Sequence, residues 1–328
     1  MYKVAVIGLG KFGLKRLKTC LDLKNELSVV GIADVDPKIC RYLTKEFKIK
    51  TYSNHKDLMS SSKPDLVIVS TPPKFHKEII LDCIRGGAHI LCEKPLCLNS
   101  EDALAVSKAS KKYGKFVKLG ANHRFFANVK YALNLLKNQK IGEILNVRAT
   151  IGNDGSLVKN SWFWEPDVSG GGTFIDNGSH VLDLLRQIMG DFKYCFSHMS
   201  NNFWSDTKVE DNATAVFITK EDKQAVVTSS WTKWYGYLNV EIWGSKGFIL
   251  IDSDEKDIVV TGSNNHKSIK TLDFSNEPHN SYHQEILYFL DCINKKIQPC
   301  PNAGDGHEIL KMIEAAYESN SKKRMSKI

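Results

Sequence analysis

The stretch Tyr2-Lys3-Val4-Ala5-Val6-Ile7-Gly8-Leu9-Gly10-Lys11-Phe12-Gly13 decides the fold. Its first half is an apolar run rich in β-branched side chains, and the leucines that follow are spaced as on one face of a helix. A strand, a glycine turn and a helix in this order are typical of a dinucleotide-binding unit. We therefore expect six residues to bind a dinucleotide: Gly8, Leu9, Gly10, Lys11, Phe12 and Gly13.

Each of the three glycines has a separate physical task in such a turn. Gly8 permits the tight turn, Gly10 lets a pyrophosphate approach the backbone, and Gly13 lets the helix pack closely on the strand. The helix N-terminus then offers N–H groups and a partial positive charge to the phosphates.

Asp34 ends a second apolar strand, which runs from Leu27 to Ala33 and lies roughly 20 residues beyond the glycines. A carboxylate at this place accepts hydrogen bonds from the ribose hydroxyls and repels a 2′-phosphate. We therefore predict NAD as the cofactor and regard NADP as the less favoured one, although Arg41 could soften the preference. The alternative is that Asp34 only closes the strand as a turn residue.

The composition restricts the classes of function. The 328 residues suffice for two domains with substantial cores, and no stretch approaches the ~20 consecutive apolar residues of a membrane helix. The chain enters a strand at once, so we expect no signal peptide, no membrane partner and a cytoplasmic protein. The net charge of +8 is spread out, which suits an anionic small molecule better than a nucleic acid. The eight cysteines lack metal-type spacing, so we predict no metal site.

Two loops in the first half follow apolar strands whose carboxyl ends would face a ligand. Residues 65–70 form a strand pattern that leads into Thr71 and Pro72, followed by a helix from His76. We expect Thr71, Pro72 and His76 to form a cofactor wall, although the prolines could merely fix the loop.

The second of these loops is Glu93-Lys94-Pro95, which follows the strand pattern at residues 89–92. Lys94 would lie beside the nicotinamide and is our candidate for proton transfer, with Glu93 in the cofactor site. Pro95 excludes helical geometry at Lys94, and the peptide bond between them can be cis. The alternative is a lysine that pairs with Glu93 on a surface turn.

We place the domain boundary after the strand at residues 116–120, so that residues 1–122 and 123–328 form two domains. The spacing predicts helices over 100–113, with Ser100 as N-cap, and over 128–137. Alternating patterns then recur at 144–151, 213–219, 225–232, 237–243, 248–252 and 258–261, as in a mostly antiparallel sheet. Helical patterns at 282–294 and 304–319 are expected to pack back on the body of the protein.

The second half also contains the run Gly170-Gly171-Gly172-Thr173-Phe174-Ile175-Asp176-Asn177-Gly178-Ser179-His180. The glycines would open a helix, and Asp176 and His180 are four residues apart and so share one helical face. Together they could bind a sugar hydroxyl and transfer its proton, because histidine is the natural acid–base group near neutral pH. A purely structural Asp–His pair is the alternative.

These motifs together resemble the glucose–fructose oxidoreductase, inositol dehydrogenase and rhizopine catabolism family. The resemblance rests on the glycine turn, on Glu93-Lys94-Pro95 and on the glycine-rich run with Asp176 and His180, and it extends to Glu241-Ile242-Trp243-Gly244-Ser245-Lys246-Gly247. It implies an α/β protein with an N-terminal Rossmann domain, which is a doubly wound parallel sheet, and a C-terminal α/β domain with a large, mostly antiparallel open sheet. It also implies that Lys94 and His180 are catalytic, that Asp176 supports the substrate, and that the sheet forms subunit contacts in a homodimer or homotetramer.

One stretch departs from the family pattern. Many relatives have a Trp-Arg pair before the glycine run, whereas this chain has Trp162-Phe163-Trp164-Glu165-Pro166. These aromatic side chains could stack on a sugar ring or on a nucleotide base, or they could fill the core. We expect Asn122, Arg124 and Trp162 to contribute to substrate binding beside the catalytic residues.

The sequence thus predicts an NAD-dependent oxidoreductase that acts on a secondary alcohol of a sugar, cyclitol or sugar derivative. A sugar-nucleotide dehydrogenase and a non-catalytic, NADH-binding redox sensor remain as alternatives.

Overall fold

The computed structural model of the protein describes residues 1–265 and 268–328. It divides into two compact units. The first unit comprises Met1–Ala121 and Tyr282–Leu310, and the second comprises Asn122–Ser281 and Lys311–Ile328. No helix within the described residues is both long enough and apolar enough to cross a membrane.

Strands and helices alternate through the first part of the chain, as the hydrophobic pattern predicts. In chain order they are β1 (Tyr2–Ile7), α1 (Lys11–Asp22), β2 (Leu27–Ala33), α2 (Pro37–Phe47), β3 (Thr51–Tyr52), α3 (His55–Ser62), β4 (Leu66–Val69), α4 (His76–Arg85), β5 (His89–Cys92), α5 (Ser100–Tyr113) and β6 (Val117–Leu119). The six strands form one parallel sheet in the order β3-β2-β1-β4-β5-β6. This is the strand order of a Rossmann fold, so the predicted fold of this unit is confirmed.

Side-chain caps set the starts of two of these helices. Asp36 accepts a hydrogen bond from the Lys38 N–H at 2.7 Å, and Pro37 occupies the first position of α2. The cap of α5 is Asn99, whose side chain accepts the Asp102 N–H at 2.8 Å. The prediction of Ser100 as N-cap is therefore wrong by one residue.

The second unit contains one large sheet and fewer helices. Its elements continue as α6 (Ala127–Lys137), β7 (Ile144–Gly152), α7 (Pro166–Ser169), a π-helix (Phe174–Gly178), α8 (Ser179–Met189), β8 (Phe192–Ser200), β9 (Asn212–Thr219), β10 (Gln224–Ser230), β11 (Leu238–Gly244), β12 (Gly247–Asp252), β13 (Ile258–Ser263) and β14 (Lys270–Asp273). The chain ends with α9 (Ser281–Lys295), α10 (Ala303–Lys322) and β15 (Ser326–Lys327). Strands β8, β14 and β15 are additions to those that the sequence pattern predicts.

Among the described residues the sheet of this unit has nine strands, in the order β14-β13-β12-β11-β7-β10-β9-β8-β15. Its neighbours pair antiparallel except β7 and β10, which are parallel. The predicted large, mostly antiparallel open sheet is therefore confirmed.

The two units differ from the predicted domains in two places: Asn122 groups with the second unit, and Tyr282–Leu310 groups with the first unit. Helix α9 packs Ile286, Phe289 and Leu290 into the core of the first unit, and it also carries a buried carboxylate. Glu285 is fully buried and forms ion pairs with Arg16 and Lys118, at 2.7 and 2.8 Å. It also accepts the Ala121 N–H at 2.7 Å. Helix α9 is thus tied to α1 and β6 of the first unit.

Candidate functional site

The glycine turn of the first unit has the geometry that its sequence predicts. Gly8 adopts φ +84°, and a Cβ there would lie 2.6 Å from the Thr71 amide nitrogen. A Cβ on Gly13 would lie 1.8 Å from the Gly8 carbonyl oxygen, so only glycine lets α1 pack this closely. Gly10 instead faces open space, with no heavy atom within 4 Å of where its Cβ would stand. The turn therefore leaves room for a ligand at its centre.

Asp34 lies at the carboxyl end of β2 and is bound to the glycine turn. Its Oδ2 accepts the Leu9 N–H at 2.6 Å, and its Oδ1 accepts the Asp36 N–H at 2.9 Å. The residue also lines a cavity of about 530 Å³, whose wall includes Arg41, Lys45 and Lys48. A carboxylate and three cations thus border the same space.

The loop after β4 contains two hydroxyl groups that are available to bind a ligand. The Ser70 and Thr71 hydroxyl oxygens are buried and have no hydrogen-bond partner among the described residues. Both residues follow β4 directly, and the Ser70 Cβ lies 3.4 Å from the place where a Gly13 Cβ would stand. Pro72 comes next and precedes a short 3-10 turn, Pro73–Phe75.

His76 is fully buried, so it has no surface with which to contact a cofactor directly. Its Nε2 lies 2.7 Å from the Thr71 carbonyl oxygen, and its Nδ1 lies 3.0 Å from the Pro95 carbonyl oxygen. Burial lowers the pKa of His76 despite these carbonyl groups. The placement favours a supporting role, in which His76 joins the loop after β4 to the loop after β5.

Glu93, Lys94 and Pro95 follow β5 directly. The Lys94–Pro95 peptide bond is cis, and Lys94 is half-buried. Glu93 forms an ion pair with Arg16, with 2.7 Å between Oε1 and Nε. Arg16 in turn pairs with Glu285, and burial opposes its charge while the two carboxylates raise its pKa. Glu285, Arg16 and Glu93 therefore form a chain of ion pairs that ends at the residue next to Lys94.

The glycine run of the second unit opens a π-helix before α8 begins, whereas the spacing predicts one continuous α-helix. Glu210, which precedes β9, binds the backbone where this segment begins. Its side chain accepts the N–H groups of Gly172 and Phe174, each at 2.9 Å, and its carbonyl oxygen accepts the Thr173 N–H at 3.0 Å. A Cβ on Gly172 would lie 2.0 Å from that carbonyl oxygen, so glycine is required here. Short π-helical segments occur frequently at functional sites.

Asp176 and His180 are the only residues in the segment 171–180 that are not buried. Both are partly exposed, and the prediction that they act together stays a prediction. The ring of His180 also lies edge-to-face with His123, with 3.8 Å between ring centroids.

The three predicted substrate contacts have different surroundings in the second unit. Arg124 forms a bidentate ion pair with Asp183 on α8, at 2.6 and 2.7 Å, and both side chains are largely buried. Asn122 donates a hydrogen bond to the Ser281 hydroxyl at 3.3 Å. Trp162 stacks on Phe163, with 3.8 Å between ring centroids, and lines a cavity of about 400 Å³. Arg124 thus has a structural partner, whereas Trp162 borders an open space.

Sequence reasoning missed four residues that support these groups: Arg16, His123, Glu210 and Tyr237. His123 lies between Asn122 and Arg124, two predicted substrate contacts, and the pair Glu210-Asp211 precedes an apolar strand. These two positions in the sequence were the signals available for His123 and Glu210. Neither position shows which distant residue the side chain contacts.

The residues of the first unit fit a dinucleotide. The open space at Gly10, the two unpartnered hydroxyl groups after β4 and the cavity beside Asp34 all border the carboxyl ends of β1, β2 and β4. In doubly wound sheets ligands bind at this edge. Gly8–Gly13 would hold the pyrophosphate and Asp34 the ribose.

One group of potential metal ligands is present among the described residues. His55, Glu78 and Asp82 place ligand atoms within 4.8 Å of one another. Lys56 and Arg85 pair with these carboxylates, at 3.1 Å to Glu78 and 2.9 Å to Asp82. Two of these potential ligands are therefore already paired with cationic side chains of the protein.

Two family models match the chain. The one described as "Oxidoreductase family, NAD-binding Rossmann fold" matches residues 2–121, and the one described as "GFO/IDH/MocA C-terminal domain" matches residues 129–250.

Curated relatives span nearly the whole chain. A myo-inositol 2-dehydrogenase of Thermotoga maritima is 28% identical over 334 residues, which cover 99% of this chain and 98% of the relative. An inositol 2-dehydrogenase of Rhizobium meliloti is 23% identical, with 99% of each chain covered. A solved levoglucosan dehydrogenase, in complex with NADH and L-sorbose, has the same fold with a TM-score of 0.92 at 20% identity, covering 100% of this chain and 99% of the other.

Proposed function

Since the chain belongs to the GFO/IDH/MocA oxidoreductase family and is an NAD-dependent dehydrogenase, we propose that its substrate is a secondary alcohol of a sugar or cyclitol. The names of its full-length relatives support this substrate class, because they include two inositol dehydrogenases. The observation that carries the proposal is the pair Asp176 and His180. These are the side chains that stay half-exposed in an otherwise buried helical segment, which is the arrangement a substrate hydroxyl needs.

The residues of the chain would divide the chemistry as follows. NAD supplies the hydride acceptor in alcohol oxidation and, in its reduced form, the hydride donor in the reverse direction. Lys94 and His180 would hold and transfer the hydroxyl proton, since both residue types are suited to general acid–base catalysis. Asp176 would orient the imidazole or bind a neighbouring hydroxyl. Asn122 and Trp162 would contact the substrate, whereas Arg124 would act through its ion pair with Asp183.

The test is the nicotinamide absorbance after NAD is mixed with pooled polyols, aldoses and sugar nucleotides. We expect turnover on a polyol or aldose, and a loss of about 100-fold or more in kcat for Lys94→Met, with NAD affinity nearly unchanged. Lys108→Met is the matched control, because Lys108 is an exposed lysine of α5 in the same unit.

Two results would contradict the proposal. Turnover of sugar nucleotides alone would indicate a sugar-nucleotide dehydrogenase. Tight NADH binding without turnover of any alcohol would favour a redox sensor.

We further propose that the protein is a cytoplasmic homodimer or homotetramer assembled through the nine-stranded sheet. The exposed Leu145 of β7 and Phe196 of β8 support this assembly, because apolar side chains on an open sheet favour association. The eight free cysteines suit a reducing compartment. Light scattering should give a dimer or tetramer mass that falls in Phe196→Glu, and cell fractionation tests the compartment. A monomer mass for the native protein would refute the assembly.

A further inference from the structure

His123 occupies an interior position beside the candidate catalytic histidine. It belongs to a 3-10 turn, Asn122–Phe125, and is only 3% exposed. Three aromatic rings surround it: Phe126 with 4.6 Å between centroids, Tyr237 with 5.4 Å and His180 with 3.8 Å. A histidine enclosed in this way is too deep to meet a substrate, so its function concerns its neighbours.

Of the three ring pairs, His123 and His180 have the shortest distance between ring centroids. The two imidazole planes are nearly perpendicular, at 89°, so the edge of one ring meets the face of the other. The last side-chain torsion of a histidine has a broad energy profile, so its ring plane is not determined by its own rotamer. A neighbouring ring at this distance restricts that rotation for His180.

His123 is itself held in place by Tyr237. The Nε2 of His123 and the Tyr237 hydroxyl share a hydrogen bond of 2.7 Å. The Tyr237 N–H donates to Asp254 at 2.9 Å, and Asp254 also pairs with Lys233 at 2.8 Å. The orientation of His123 therefore depends on the residues that lead into β11, far away in sequence.

The backbone segments that carry the two histidines are also joined. Arg124, next to His123, forms the bidentate ion pair with Asp183, which lies one turn after His180 on α8. The 3-10 turn and α8 are therefore fixed to each other at the place where the rings meet.

We propose that His123 is a positioning residue for His180: held by Tyr237, it fixes the ring plane in which His180 exchanges a proton with the substrate. This inference rests on the proposed function, in which His180 performs acid–base chemistry. It adds two residues, His123 and Tyr237, that act through His180.

The first experiment needs no substrate. The ring carbon and proton resonances of the ten histidines are recorded by NMR, and the His180 signal is identified by its loss in His180→Asn. In Tyr237→Phe and His123→Phe, the His180 signal should move or broaden, because ring currents and ring motion both change. The exposed His198 of β8 serves as the reference signal. An unchanged His180 signal in both variants overturns the proposal, whether or not a substrate is known.

The second experiment uses whichever polyol or aldose the native enzyme oxidises. We expect Tyr237→Phe and His123→Phe to lower kcat by about tenfold or more, since small misplacements of a catalytic group have large effects on rate, with NAD affinity unchanged. In a His180→Asn background, His123→Phe should lower kcat no further. An equal further loss there would mean a general structural role and refute the proposal. Thermal unfolding of each variant identifies any that fail to fold, and Tyr237→Phe then serves in place of His123→Phe.

The outcomes separate the two proposals. A changed His180 signal with no turnover of any alcohol contradicts the proposed function and leaves the positioning contact intact. Turnover that survives both variants unchanged contradicts the positioning role alone.

Discussion

Each of the two units contains a glutamate that supports a segment with candidate site residues, and the two glutamates do so in opposite ways. Glu285 in the first unit is fully buried and contacts two cations, Arg16 and Lys118. Glu210 in the second unit is partly buried and contacts neutral donors, among them the Gly172 and Phe174 N–H groups. Arg16 links Glu285 to Glu93, the neighbour of Lys94, whereas Glu210 binds the backbone just before Asp176.

The pKa values of the two carboxyl groups move in opposite directions. Burial favours the neutral form of Glu285, but the nearby Lys118 and Arg16 outweigh it and lower its pKa to about 2. At Glu210 burial prevails over the hydrogen bonds and raises the pKa. Neutral donors thus hold a carboxyl group in place without fully offsetting its desolvation, whereas two cations do so.

Of the variants that separate the two glutamates, Glu285→Ala should have the largest effect on stability. The variant leaves Arg16 and Lys118 buried without their shared carboxylate, and breaking a buried ion pair in this way costs about 3–5 kcal/mol. We expect the free energy of unfolding, measured with denaturant, to fall by this amount. Asp291→Ala on the same helix is the control, because its pair with Lys295 is exposed. A similar loss in both variants would refute the special role of Glu285.

The two carboxyl groups should also differ in how they make stability depend on pH. The folded-state pKa of Glu285 lies below that of an unfolded glutamate, so its contribution is complete above about pH 4.5 and is lost as the pH falls through about 2. The shift corresponds to about 3 kcal/mol. We expect Glu285→Gln to lose this part of the acid dependence. The raised pKa of Glu210 has the opposite sign, so Glu210→Gln should remove a stabilisation that appears on acidification. Urea unfolding at a series of pH values measures both, and parallel curves for the two variants would contradict the assignment.

A smaller effect is expected for Glu210→Gln at neutral pH. The amide keeps one acceptor oxygen, but its NH₂ group opposes one of the donors that the carboxylate accepts, at a cost of about 1–2 kcal/mol. Glu221→Gln is the matched control, because Glu221 is exposed in the turn between β9 and β10. A loss at Glu210 as large as that of Glu285→Ala would remove the distinction between the two sites.

The same contrast explains what the sequence could predict. The glycine turn could be predicted because Gly8 and Gly13 contact each other within one short segment, with Gly10 open between them, and so their spacing reports their geometry. The four-residue spacing of Asp176 and His180 is an equally local signal.

The remaining features depend on contacts between distant residues. Glu210 binds the backbone before the π-helix, Glu285 joins α9 to α1 and β6, and Tyr237 holds the ring beside His180. No periodicity along the chain reveals which of its acidic residues is enclosed, or by which donors. Buried polar contacts of this kind could not be predicted from the sequence.

Asp34 extends the comparison to a carboxylate that opens onto a cavity instead of holding a segment from inside. We expect Asp34→Ser to change stability less than either glutamate variant, because serine can still accept one of the two N–H groups. Its main effect should fall on cofactor choice: NAD affinity should weaken by about tenfold, since hydrogen bonds from the ribose to a charged acceptor are lost. NADP affinity should rise, because Arg41, Lys45 and Lys48 remain on the cavity wall. Titration of the protein with both cofactors measures the ratio of NAD affinity to NADP affinity.

Asp36→Ser is the control, since serine also caps α2 and should leave this ratio unchanged. If Asp34→Ser unfolds the unit instead, then this carboxylate belongs with Glu285 as a structural group, and the preference for NAD has another origin.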